Sequence, residues 1–402
     1  MPLFDDRRDH PWNRVHHALF QHAYEVQRSP CLLARDLSCD RLPEPNAAMA
    51  DLKAGPSDYR DVSTLLVSKD VHFLSSPGRF QQALHALREA ATVPPESNPL
   101  AAALLQHDLW ERFDALDGVL RNTKAELIDN TTDPLLILRD QIGVLMRRLA
   151  LPKAVLAKLP SNLATLASTY PDLLAGIADS PSSWLEVATL SRDRPQGFDS
   201  PAREGTRHSL MSGYRAAFRR FAYIPKSAGG ADWLRQALSD HPPALTLPVG
   251  GRSVIFEVPL VVSSEVEIVA LPVITLLESR IVKPVESGGQ KLRSLGFEVL
   301  EARRPWLRAP GYKHGGLVRL PYDAPFPLGG SCGPNPTTLL PMRSTCILCH
   351  GPAGDRLTGT LSHGSQQLRI SEDPELQIRT TIAAKLTQPD FAALRALFKV
   401  AL

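Results

Sequence analysis

Leu245-Thr-Leu-Pro-Val-Gly-Gly-Arg-Ser-Val-Ile-Phe-Glu-Val258 is the stretch on which the fold class turns. Its apolar residues abandon the three- and four-residue spacing of the preceding chain and read as strand, Gly250-Gly251 turn, strand. Runs rich in β-branched residues follow at 258–262, 266–271 and 273–277, with a further strand expected at 297–301. Pro259, Pro272, Pro284 and Pro305 lack an amide hydrogen and confine these strands to short pieces, edges or bulges. Gly288-Gly289-Gln290-Lys291 reads as a turn between strands rather than a phosphate loop, because no strand-loop-helix context surrounds it. The expectation is a small antiparallel β region over residues 244–322.

Upstream the grammar is helical. Ser76-Pro77, Asn98-Pro99 and Asp133-Pro134 each set a capping residue before a proline at the first helical position, where the missing amide hydrogen costs nothing. Apolar residues then recur at helical spacing: Phe80, Leu84 and Leu87; Leu100, Leu104, Leu109, Phe113 and Leu116; Leu135, Leu138, Ile142, Leu145 and Leu149. Residues 11–24 carry a similar face through Trp12, Val15, Leu19, Phe20 and Ala23. Shorter helices are expected at 161–169, 184–191, 209–221 and 231–239. Residues 1–243 are accordingly expected to form a mainly helical domain.

Downstream, a Pro- and Gly-rich stretch leads to Cys346-Ile347-Leu348-Cys349-His350. Cys-x-x-Cys-His is the pattern to which haem c is attached. Two thiols at this spacing reach the two vinyl groups, and the adjoining imidazole lies under the ring to bind iron. From this composition roughly 0.002 such pentapeptides would arise by chance. Cys346, Cys349 and His350 are therefore the candidate cofactor-binding residues for one covalent haem c, with His350 as proximal iron ligand. No methionine follows His350, so His363 is the candidate for the opposite iron face; its other reading is an exposed loop histidine. The same residues admit a zinc site, with Cys332, Cys346, Cys349 and either His350 or His363 as ligands, or a disulfide. Two helices close the chain, one opening at Asp373-Pro374 and one near Pro389, with an apolar face of Leu376, Ile378, Ile382, Leu386, Phe391, Leu394, Leu397 and Phe398. That face is too small to cover a haem and fold alone, so residues 323–402, the haem-motif segment, are expected to pack on the β region.

The segment Thr345 to Gly351 resembles the haem-binding segment of c-type cytochromes. The resemblance implies thioether attachment through Cys346 and Cys349 and proximal ligation by His350. The wider layout is similar to bacterial envelope proteins that carry one late Cys-x-x-Cys-His. The residues that match are His10-Pro11-Trp12-Asn13, Asn98-Pro99-Leu100 and Asp108-Leu109-Trp110, followed by a β-rich stretch.

Bulk composition bounds the remaining possibilities. The chain has 402 residues, is 43% hydrophobic and carries a net charge of +3, with Lys and Arg scattered in short pairs, which speaks against a nucleic-acid partner. No stretch is long and apolar enough for a membrane span. The first ten residues show no apolar core of a signal peptide, whereas haem c attachment implies a periplasmic or other extracytoplasmic setting. Of the five cysteines, Cys31 and Cys39 could form a local disulfide and leave Cys332 free. No Ser-His-Asp elbow, Gly-x-Gly-x-x-Gly or Walker loop is visible. The expected protein is α+β, and the function indicated is a monohaem electron-transfer or redox module serving an unidentified redox partner. Two alternatives use the same motif: a haem peroxidase- or oxidase-like enzyme with an open distal side, and a non-haem zinc-binding or disulfide-containing structural protein.

Overall fold

The computed structural model of the chain describes residues 10–20, 25–26, 71–123, 132–174, 177, 184–190, 216–239, 248–287, 290–302, 317–319, 325–327, 338–341, 367–371, 373 and 375–399. Helices and one antiparallel sheet share a core. The longer helices are α1 (Pro11–Phe20), α2 (Pro77–Ala90), α3 (Pro99–Asn122), α4 (Pro134–Arg148), α5 (Leu163–Thr169), α6 (Gly230–Ser239), α7 (Leu376–Leu386) and α8 (Pro389–Lys399). Proline opens α2, α3 and α4 as expected. Asn98 accepts from the Ala101 amide at 3.3 Å, and Asp133 Oδ1 accepts from Leu135 and Leu136 at 2.8 and 3.1 Å. Ser76 makes no side-chain cap, so proline rather than the hydroxyl sets that start.

The strands of the larger sheet are β1 (Trp184–Leu190), β2 (Ala216–Tyr223), β3 (Arg252–Val262), β4 (Ile268–Ala270), β5 (Leu276–Ser287), β6 (Gln290–Ala302), β7 (Leu317–Arg319) and β8 (Gln367–Ile370). They lie in the order β8-β1-β2-β3-β5-β6-β7, with β4 also pairing β3 and every pairing antiparallel. Ser287 pairs with Gln290, so two long strands flank the expected turn residues 288–289, which themselves lie outside the described residues. Beyond Arg252, every residue of β3 is buried, as suits a central strand. Pro259 sits where β3 changes partner on one side, from 276–281 to 268–270, while pairing Ala216 on the other. A residue without an amide hydrogen is tolerated at such a step.

Two expected helices are strands. Residues 184–190 form β1, and of the span 209–221 the described part belongs to β2. Helical periodicity is overridden by cross-strand pairing. Trp184 lies opposite Tyr223 with ring centroids 5.3 Å apart, and Arg219 makes a two-pronged ion pair with Glu186, both contacts at 2.9 Å. Aromatic and β-branched residues favour such a pleated, half-buried surface. In the quoted stretch, the Gly250-Gly251 turn does lead into a strand: Gly250 donates to Val282 O at 2.7 Å and Gly251 to Pro248 O at 2.8 Å. The first arm, 245–247, lies outside the described residues.

The largest core joins α1–α4 and α8 to the sheet through Ala217, Val258, Leu260, Val262 and Ile268. A second gathers Leu100, Leu104, Leu166, Trp184, Val254 and Phe256. A third seats α6, by Leu234 and Leu238, on Leu185, Val187, Ala222 and Val282.

Candidate functional site

Helix α3 is buried nearly all round, and its polar residues are buried with it: Gln106, His107, Asp108, Arg112 and Asp117. Removing such groups from water costs several kcal/mol unless partners replace it. The partners come from distant parts of the chain. Gln106 Nε2 donates to Met146 O and Val262 O, both at 2.9 Å, while its Oε1 accepts from the Val262 amide at 2.7 Å. One amide side chain thereby completes the end of β3 and ties it to α4. Asn162 does the same for Ile274, donating to its carbonyl at 3.0 Å and accepting from its amide at 2.9 Å.

His107 Nδ1 lies 3.0 Å from Leu260 O, and its Nε2 lies 3.8 Å from Glu257 Oε1. A carbonyl only accepts, which puts a proton on Nδ1. Glu257 Oε1 accepts from Thr275 Oγ1 at 2.9 Å. Asp117 accepts from Arg121 at 2.8 Å and Arg139 at 3.3 Å.

The third cluster involves the chain that follows the cysteine motif. Trp110 Nε1 donates to Asp390 Oδ2 at 2.9 Å. Lys385 pairs with the same carboxylate, and its ammonium stands 4.8 Å from the Trp110 ring centroid. Lys385 and Asp390 side chains are each 3% exposed. Phe391 packs beside Trp110, centroids 6.1 Å apart. Helix α7 buries Gln377, Thr381 and Lys385, whereas Leu386 is 51% exposed. Of the apolar face expected for this helix, Ile378 and Ile382 are half-buried against the main core while Leu386 is exposed, and the charge pair ties α7 to α8. In α8 the expected Phe391, Leu394 and Phe398 are buried. Helix α7 lies against β1, β2 and β4, and α8 against α3 and α4.

The candidate residues Cys346, Cys349, His350 and His363 lie outside the described residues, as do Cys31, Cys39 and Cys332. The approach and exit of their segment are described. Thr338–Pro341 pairs with Pro325–Pro327 and with Glu25–Val26. Gln367–Ile370 then pairs with β1 in register Gln367↔Leu190 to Ile370↔Val187. Strand β7 occupies one end of the strand order and β8 the other, so residues 320–366 connect opposite edges of the sheet. Those edges are six inter-strand steps apart, each about 4.8 Å.

The donor set of the motif, two thiols and an imidazole, suits haem c or zinc in kind. Among the described residues, no group of three or more His, Cys, Asp or Glu could hold a metal ion. Also among them, no helix is long and apolar enough to cross a membrane. The His10 ring accepts from the Trp12 amide at 3.3 Å and meets the indole edge-on. Sequence reading assigned no role to His107, Glu257, Lys385 or Asp390. The available signal was Gln106-His107-Asp108 set among Leu100, Leu104, Leu105, Leu109 and Phe113, since polar residues on a buried face require partners. Comparison of the chain with protein-family models, with curated proteins and with solved structures finds no match in any of the three.

Proposed function

We propose that the chain is a monohaem c-type cytochrome-like electron-transfer or redox module working in an extracytoplasmic setting. The observation that carries this reading is the spacing Cys346-x-x-Cys349-His350 in a chain with only five cysteines. Haem, when bound, supplies one-electron chemistry at iron. The chain's part is attachment and environment. Cys346 and Cys349 would hold the haem through thioethers, each S–H adding across one vinyl double bond with sulfur on one carbon and hydrogen on the other. His350 would ligate iron, and His363 is the proposed residue for the opposite face. The Lys385–Asp390–Trp110 contact and the β8 pairing fix the chain that follows the motif.

The test is expression with an export signal and the haem c maturation machinery. Intact mass should rise by one haem, and haem staining should survive denaturing electrophoresis. Cys346→Ser and Cys349→Ser should each weaken attachment. Colourless protein of unmodified mass, alongside a control cytochrome that matures, would sink the proposal; stoichiometric zinc in that protein would favour the metal-site alternative. His363→Ala should turn a low-spin spectrum high-spin. A wild type that is already high-spin and binds carbon monoxide readily removes His363 as ligand. That result favours the reading with an open distal side, which rests on the absence of any methionine after His350.

A further inference from the structure

We draw no further inference here: the strongest candidate, the buried Lys385–Asp390–Trp110 cluster between α7, α8 and α3, is closed to solvent, and its contacts serve the docking of the C-terminal helices already described.

Discussion

Val266 stands at φ 63°, the one non-glycine residue with positive φ among those described. Its place is the tight loop between β3 and β4. Val266 donates to Ser263 O at 2.9 Å, and Ser263 donates to Glu267 O at 2.8 Å. Such short loops commonly put glycine at the left-handed position, because a β-branched side chain there is strained by about 1–3 kcal/mol. Val266 keeps its place by packing, half-buried, against the main core. Val266→Ala should lose the packing and keep the strain; Val266→Gly should lose the packing and release the strain. We expect the glycine variant to be the more stable in urea denaturation, the reverse of the usual order, and equal or inverted midpoints would refute backbone strain. The same loop is tied down electrostatically. Lys153 donates to Glu267 at 2.6 Å, and its backbone amide donates to Glu265 at 3.1 Å. The Ser263 hydroxyl, followed by backbone amides, holds Glu265 below the usual carboxylate pKa, and Glu267 raises that of Lys153. Glu265 therefore contributes stability above the ordinary glutamate range, lost as pH falls through its lower folded value. Lys153 contributes below about 10.5, and that part is lost as pH rises beyond its raised value. Both groups are exposed, so the effects are small and salt-screened. Thermal midpoints measured from pH 6 to 2 should fall less steeply in Glu265→Gln than in the parent; parallel curves would remove Glu265 from the acid response.

At the scale of elements, a buried charge pair joins α7 to α8 beside the apolar burial of Phe391, Leu394 and Phe398. Breaking one member of a buried ion pair typically costs about 3–5 kcal/mol, whereas replacing both by apolar groups is often neutral. Lys385→Met leaves the Asp390 carboxylate with the Trp110 indole and no cation, and should lower stability by an amount near that range. The double variant Lys385→Met, Asp390→Leu should recover most of the loss. Chemical denaturation followed by tryptophan emission checks both, and a double variant as unstable as the sum of the singles would show that the pair is not coupled. In strand β1, helical spacing in the sequence gives way because Trp184, Glu186 and Val187 find cross-strand and core partners on β2 and α6.

At the scale of the whole molecule, the sheet is assembled from strands on both sides of the cysteine motif. β8 returns to pair β1, and α8 packs against α3 and α4, so residues 367–399 are joined to the earlier chain by β pairing to β1, by the Trp110–Asp390 hydrogen bond and by apolar burial against the helices. A protease site inserted into 342–366 should, once cut, leave a nicked protein whose C-terminal fragment co-elutes with the rest on native size exclusion. Release of that fragment without denaturant would mean that the docking is too weak to hold it.

Sequence alone determined what depends on local chemistry. Proline with a preceding cap set the starts of α3 and α4, apolar periodicity named their core residues, Gly288-Gly289 marked the long hairpin, and Cys346, Cys349 and His350 stood out by thiol and imidazole spacing. Tertiary structure decided whatever depends on distant partners. Residues 184–190 are a strand because Tyr223, Arg219 and later Gln367–Ile370 lie beside them. Gln106, Asn162 and His107 are buried because Val262, Ile274 and Leu260 answer their hydrogen bonds from up to 156 residues away. A polar side chain carries no mark of its future partner in its own neighbourhood. Whether it is solvated or buried is settled only when the fold brings a matching donor, acceptor or charge within reach.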